Sequence, residues 1–123
     1  MVVELLCQNG VLRLTGPSGG WCQVEALLGG TAFPLGAEVL SVVAARLAVA
    51  LAPELAGPWV EGSAGRFTFV LALSERHGTI YARDVGQTRL LLCQDADGAA
   101  VGELELSAAD RLRWTAQLAS SIS

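Results

Sequence analysis

Apolar residues in this chain recur with two periods, and the switches between them divide it into strands and helices. Residues 2–8 are apolar and rich in strand formers, and Asn9-Gly10 is a strong hairpin signal that predicts a type I′ turn. Residues 11–15 form the expected returning strand, 16–20 a Gly/Pro/Ser loop, and 21–28 a third strand. Gly29-Gly30 turns that strand into a short fourth piece, 31–35. From 37 to 52, Val39, Leu40, Val43, Leu47 and Leu51 fall near helical spacing, and Pro53 ends the run. This predicts a helix, although the valines leave a strand open.

The second half repeats the order. Residues 66–74 predict a strand with Phe67, Phe69, Leu71 and Leu73 on one face, 75–78 a turn, and 79–84 its return. Strands over 88–95 and 99–106 flank Asp97-Gly98. Ser107 is placed to cap a last helix, with Asp110 in its first turn. On that helix Leu112, Ala116 and Ala119 make one apolar stripe, and Trp114, Leu118 and Ile122 a second beside it.

The expected fold is therefore α+β: two ββββα-like units whose antiparallel sheets are backed by two helices. The chain reads as a single domain, 1–123, with an internal duplication over 1–56 and 66–123 and a connector at 57–65. Each third strand carries a Cys-Gln step, Cys22-Gln23 and Cys93-Gln94. The same element order occurs in the whirly and PUR folds, which bind nucleic acid through basic and aromatic sheet faces. Neither kind of face is expected here.

Charge narrows the partners. Twelve carboxylates outweigh eight arginines for a net charge of −4, and the chain contains no lysine. The arginines are scattered singly, so nucleic acid is not an expected partner. Apolar residues make up 52% and charged residues only 16%, which suggests a surface patch covered by a partner or a second copy, and a homodimer is expected. The run 39–52 is interrupted by Ser41 and Arg46 and is too short to span a bilayer. Met1-Val2-Val3-Glu4 lacks the basic start of a signal peptide, so no membrane association and a cytoplasmic location are expected. Three widely spaced cysteines and one histidine predict buried free thiols and no metal site. No glycine-rich nucleotide fingerprint follows a strand, and no cofactor is expected.

Two clusters could carry chemistry. Glu75-Arg76-His77-Gly78 is followed by Tyr81 and Arg83 on one strand face. His77 titrates nearest neutrality and is the natural general base, with Glu75 the other candidate proton acceptor. Arg76, Arg83 and Tyr81 are candidates for holding carboxylates or carbonyls. Equally, polar residues at a hairpin tip are commonly no more than solvated turn residues. The second cluster, Gly19-Gly20-Trp21-Cys22 with Glu25, could close over a ligand or serve as a plain connection. Cys22 would act as a nucleophile only with His77 beside it. Trp59, in the connector, is a candidate partner contact, as is Trp21.

The short, lysine-free, Arg-, Ala- and Gly-rich chain resembles the small helper proteins of lanthipeptide pathways that form lysinoalanine cross-links, as in the cinnamycin and duramycin group. The resemblance implies a peptide-binding maturation protein that adds a substrate lysine amine to a dehydroalanine of the same peptide. A chain without lysines of its own would avoid competing self-addition. The alternative is a non-catalytic partner-binding module such as an immunity protein or chaperone.

Overall fold

The computed structural model describes residues 1–17, 20–52, 60–62, 65–94 and 100–122. Strands β1 (Val2–Leu6), β2 (Gly10–Thr15), β3 (Trp21–Leu28) and β4 (Thr31–Val39) form one antiparallel sheet in chain order, followed by helix α1 (Leu40–Leu51). The second sheet is β5 (Val60–Gly62), β6 (Gly65–Ala72), β7 (Thr79–Asp84), β8 (Thr88–Cys93) and β9 (Ala100–Leu106), followed by helix α2 (Ala108–Ile122). The α+β class and the two helix-backed antiparallel sheets are as the periodicity predicts. Strand β5 falls within the expected connector.

The two halves are tied by exchange. Helix α1 lies on β6 of the other sheet, where Arg46 Nε donates to the Val70 carbonyl at 2.6 Å. Helix α2 lies on β1, where Trp114 Nε1 and Arg113 Nη2 each donate to the Leu6 carbonyl at 2.7 Å, and Gln117 Nε2 donates to Glu4 O. The turns cross as well. The β6–β7 turn docks on β4 through reciprocal backbone bonds between Glu75 and Ala37, and Gly78 N–H donates to Leu35 O. The β1–β2 turn docks on β9 through Gln8 N–H to Glu105 O, while Asn9 uses its amide to bind Glu105 N–H and Glu103 O. The outer strands β1, β4 and β9 thus each meet a helix or a turn of the other half, which is one way that sheets avoid pairing with strangers. One apolar cluster includes residues of both sheets and both helices.

Each docked turn is also pinned by a carboxylate at the start of the other half's helix. Glu38 accepts from Ser74 Oγ–H and from the Val39 amide. Asp110 accepts from Gln8 Nε2, Arg113 and the Ser107 amide, while the Asp110 amide donates to Ser107 Oγ as a reciprocal cap.

Four expectations change. The helix predicted from 37 begins at Leu40, because Ala37 and Glu38 continue β4 opposite Gln23 and Cys22 and the turn docks on them. The β1–β2 turn is not type I′. Left-handed φ at non-glycine residues falls instead on Arg76 (66°) and His77 (56°). Phe67, Phe69, Leu71 and Leu73 do not share a face. A bulge at Val70 shifts the register, leaving Phe67 and Phe69 outside and Val70, Leu71 and Leu73 inside. On α2, Trp114 and Leu118 are buried, but Leu112, Ala116 and Ala119 are exposed. The Cys-Gln steps also occupy opposite ends of their strands, Cys22 near the start of β3 and Cys93 at the end of β8.

Candidate functional site

Pairing counted from each turn shows how the two outer sheet faces differ. Leu5 and Leu12 occupy the place of Leu71 and Ile80, all four buried. The next outward pair is Glu4–Arg13 in one half and Phe69–Tyr81 in the other, with Glu25 and Leu91 as their third-strand neighbours. In the first sheet, Arg13 bridges Glu4 at 3.3 Å and Glu25 at 2.8 Å, a charged ladder that satisfies itself. In the second, those positions hold an edge-to-face aromatic pair with ring centroids 5.7 Å apart.

That pair sits in a larger patch. Phe67, Phe69 and Tyr81 are 40%, 45% and 39% exposed, and Val60 on β5 pairs with Phe67. An open cleft of about 460 Å³ runs over them, lined by Arg46, Val60, Phe67, Thr68, Phe69 and Tyr81. Arg46 reaches over from α1, its guanidinium carbon 5.8 Å from the Phe69 ring centre. The expectation of no aromatic sheet face is thereby overturned, and the bulge at Val70 is the reason: it turns two phenylalanines out of the core pattern.

Two further arginines near this face are paired with carboxylates among the described residues. Arg83 grips Glu103 through Nε and Nη2 at 3.0–3.3 Å, and Arg89 lies 3.7 Å from Glu105. Arg83 is therefore committed to a carboxylate of its own chain.

Among the described residues, Tyr81 is the one sequence candidate that the aromatic cleft includes. Glu75, Arg76 and His77 sit exposed on the β6–β7 turn, and no hydrogen bond to their side chains occurs among the described residues. Two successive non-glycine residues in left-handed conformation carry strain, held here by the backbone bonds of the flanking Glu75 and Gly78. Trp21 is exposed on the outer face of the first sheet, and Trp59 lies outside the described residues. Cys22 is buried on the inner face of β3, and burial, then Glu38, raises its thiol pKa, so it stays protonated. Cys93 is also buried, whereas Cys7 is only half-buried at the docked β1–β2 turn.

Arg46, Phe67 and Phe69 are the site residues that sequence reasoning missed. The unbroken apolar run Phe69-Val70-Leu71-Ala72-Leu73, which departs from the alternation of Phe67-Thr68-Phe69, is the one visible sign of the bulge that exposes the rings. Among the described residues no cluster of three metal-ligating side chains occurs. No helix there is long and apolar enough to cross a membrane. Comparison with known families, characterised proteins and solved structures finds no match to this chain.

Proposed function

We propose that this protein is a peptide-binding module whose recognition surface is the outer face of β6 and β7. The observation that carries the reading is the replacement of a self-satisfied ion-pair ladder by exposed aromatics at matching positions of the second half. Solvent-facing rings in a cleft offer contact area at low entropy cost, which is how aromatic residues serve interfaces. Stacking of nucleic-acid bases also uses such faces, but it relies on unpaired positive charge along the groove. Here Arg83 and Arg89 are neutralised by Glu103 and Glu105, and the chain carries net negative charge. A peptide with apolar side chains fits better.

Selection from a displayed random peptide library tests this. Enriched peptides are expected to lose at least tenfold in affinity against Phe69→Ser, with the fold intact by circular dichroism. Peptides that bind equally well to Phe69→Ser and to a Phe67→Ser/Tyr81→Ser double variant would remove the face from the reading. The lysinoalanine reading adds a proton acceptor to peptide binding, with His77 or Glu75 in that role. Incubation with a dehydrated lanthipeptide precursor separates the two. Ring closure that falls in His77→Ala or Glu75→Ala makes the protein an enzyme, and binding without ring closure leaves a module.

The proposed homodimer would use a different surface. Leu112 stands 75% exposed on α2, beside an apolar groove between the helices lined by Ala44, Ala45, Ala48, Leu118 and Ala119. A protruding leucine beside a groove of small residues suits the isologous contact that a two-fold dimer would use. Sedimentation is expected to show a dimer for the parent and a monomer for Leu112→Glu. A monomeric parent would refute it.

A further inference from the structure

Within the aromatic cleft, Arg46 is held in a way that its role in packing does not exhaust. Its Nε–H is fixed to the carbonyl of Val70, the bulged residue, and its plane lies near Phe69. That anchor uses one edge of the guanidinium. The two Nη groups make no hydrogen bond among the described residues, and the residue is exposed at the cleft. Tyr81 contributes the other polar group of the lining whose hydrogen-bonding capacity is unused, because its hydroxyl has no partner among the described residues. The other lining side chains are Val60, Phe67, Phe69 and the buried Thr68.

A planar fork of N–H donors, pre-oriented and beside an apolar floor, matches a carboxylate attached to an apolar group. Because one edge of the side chain is already fixed, less rotamer entropy is lost when the ligand arrives. The other two arginines on this face, Arg83 and Arg89, already have carboxylates from Glu103 and Glu105. Among the described residues, Arg46 is the cation of the face without one. We infer that the cleft over Phe67 and Phe69 is a subsite for a peptide carboxylate next to an aromatic or large aliphatic residue, with Arg46 as the carboxylate anchor. This inference rests on the peptide-binding reading and specifies its ligand.

The carboxylate can come from a chain end or from an acidic side chain, so three acetylated hexapeptides are used as probes. The first ends in Leu-Phe with a free carboxylate, the second is its C-terminal amide, and the third ends in Asp-Phe-amide. NMR titration of the parent protein is expected to show the free acid binding about tenfold more tightly than its amide, with shifts at Phe67, Phe69 and Tyr81. Arg46→Met should remove the difference, and Arg46→Lys should restore part of it. Recovery of affinity by the Asp-Phe-amide identifies a side-chain carboxylate as sufficient. Equal binding of acid and amide, with both lost in Phe69→Ser, overturns the Arg46 inference and leaves the face reading in place. Binding by none of the three overturns both. The comparison of acid with amide needs no variant, so a folding defect at Arg46 cannot obscure it.

Discussion

Replacing Trp114 by alanine is expected to lower stability by about 3–5 kcal/mol, the cost typical of emptying a buried aromatic site. Trp114 is fully buried, and it is the largest side chain of the shared core. Its position explains the size of the effect. Helix α2 follows β9 in the chain but lies on β1 of the other sheet, and the indole is the main apolar plug at that crossing. Against a usual total of about 5–15 kcal/mol for a domain, the variant should sit close to unfolding at room temperature. Trp114→Phe separates packing from hydrogen bonding. The Leu6 carbonyl also accepts from Arg113, so removing the indole N–H does not orphan it. The phenylalanine variant should therefore lose only about 1–2 kcal/mol. Urea unfolding monitored by circular dichroism gives both values. An alanine variant with an unchanged midpoint would mean that α2 is not part of the cooperative core.

The crossing itself could not be read from the amino-acid order. Alternating strands, glycine turns and two terminal helices are local features, and β2, β3, β7 and β8 fall close to their expected bounds. Which sheet each helix covers is decided by contacts far apart in the chain, such as Arg46 with Val70 and Gln117 with Glu4. The same applies to Glu38 and Asp110, whose partners Ser74 and Gln8 belong to the other half. Legibility of the site was partial for a more local reason. Tyr81 was found because β7 alternates without interruption, so its outward face follows from period two. Phe67 and Phe69 were misplaced because one bulged residue reverses the faces of everything before it. Arg46 was unreadable as a site residue, since its helix serves a strand that the sequence gives no sign of pairing with it.

The exchange of an ion-pair ladder for an aromatic pair also bears on how the chain divides its work. The inner faces of both halves are apolar at matching positions, Leu5 with Leu71 and Leu12 with Ile80, because both must fill one core. The outer faces are under no such constraint. At the matching positions one is closed by Glu4, Arg13 and Glu25, and the other is left open as rings that water covers poorly, although Trp21 is exposed elsewhere on the first face. Core packing does not account for that asymmetry, and the proposed peptide-binding reading does.

Acid should weaken this protein by releasing its docked turns, and Asp110→Asn should show it. Burial pushes the Asp110 carboxyl upward, but bonds from Gln8, the Ser107 amide and hydroxyl side, and Arg113 outweigh burial and hold the pKa at about 2. A native pKa below the ordinary value means that the contribution is complete above the unfolded-state pKa. It is lost as pH falls through the native one. The shift from 3.8 to about 2 corresponds to about 2 kcal/mol for this nearly buried group. Asp110→Asn is expected to lose about that much at pH 7, and the gap should close as pH approaches 2. Glu38 is lowered first by the Ser74 hydroxyl and Asp84 first by Arg66, so both lose their contributions in the same direction and leave the variant a residual slope. Urea midpoints measured from pH 7 to pH 2 give the two curves. Parallel curves would show that Asp110 does not titrate with folding, and the carboxylate pin on the β1–β2 turn would have to be abandoned. Converging curves would place that share of the acid sensitivity at Asp110, where α2 begins and Gln8 of the β1–β2 turn is held.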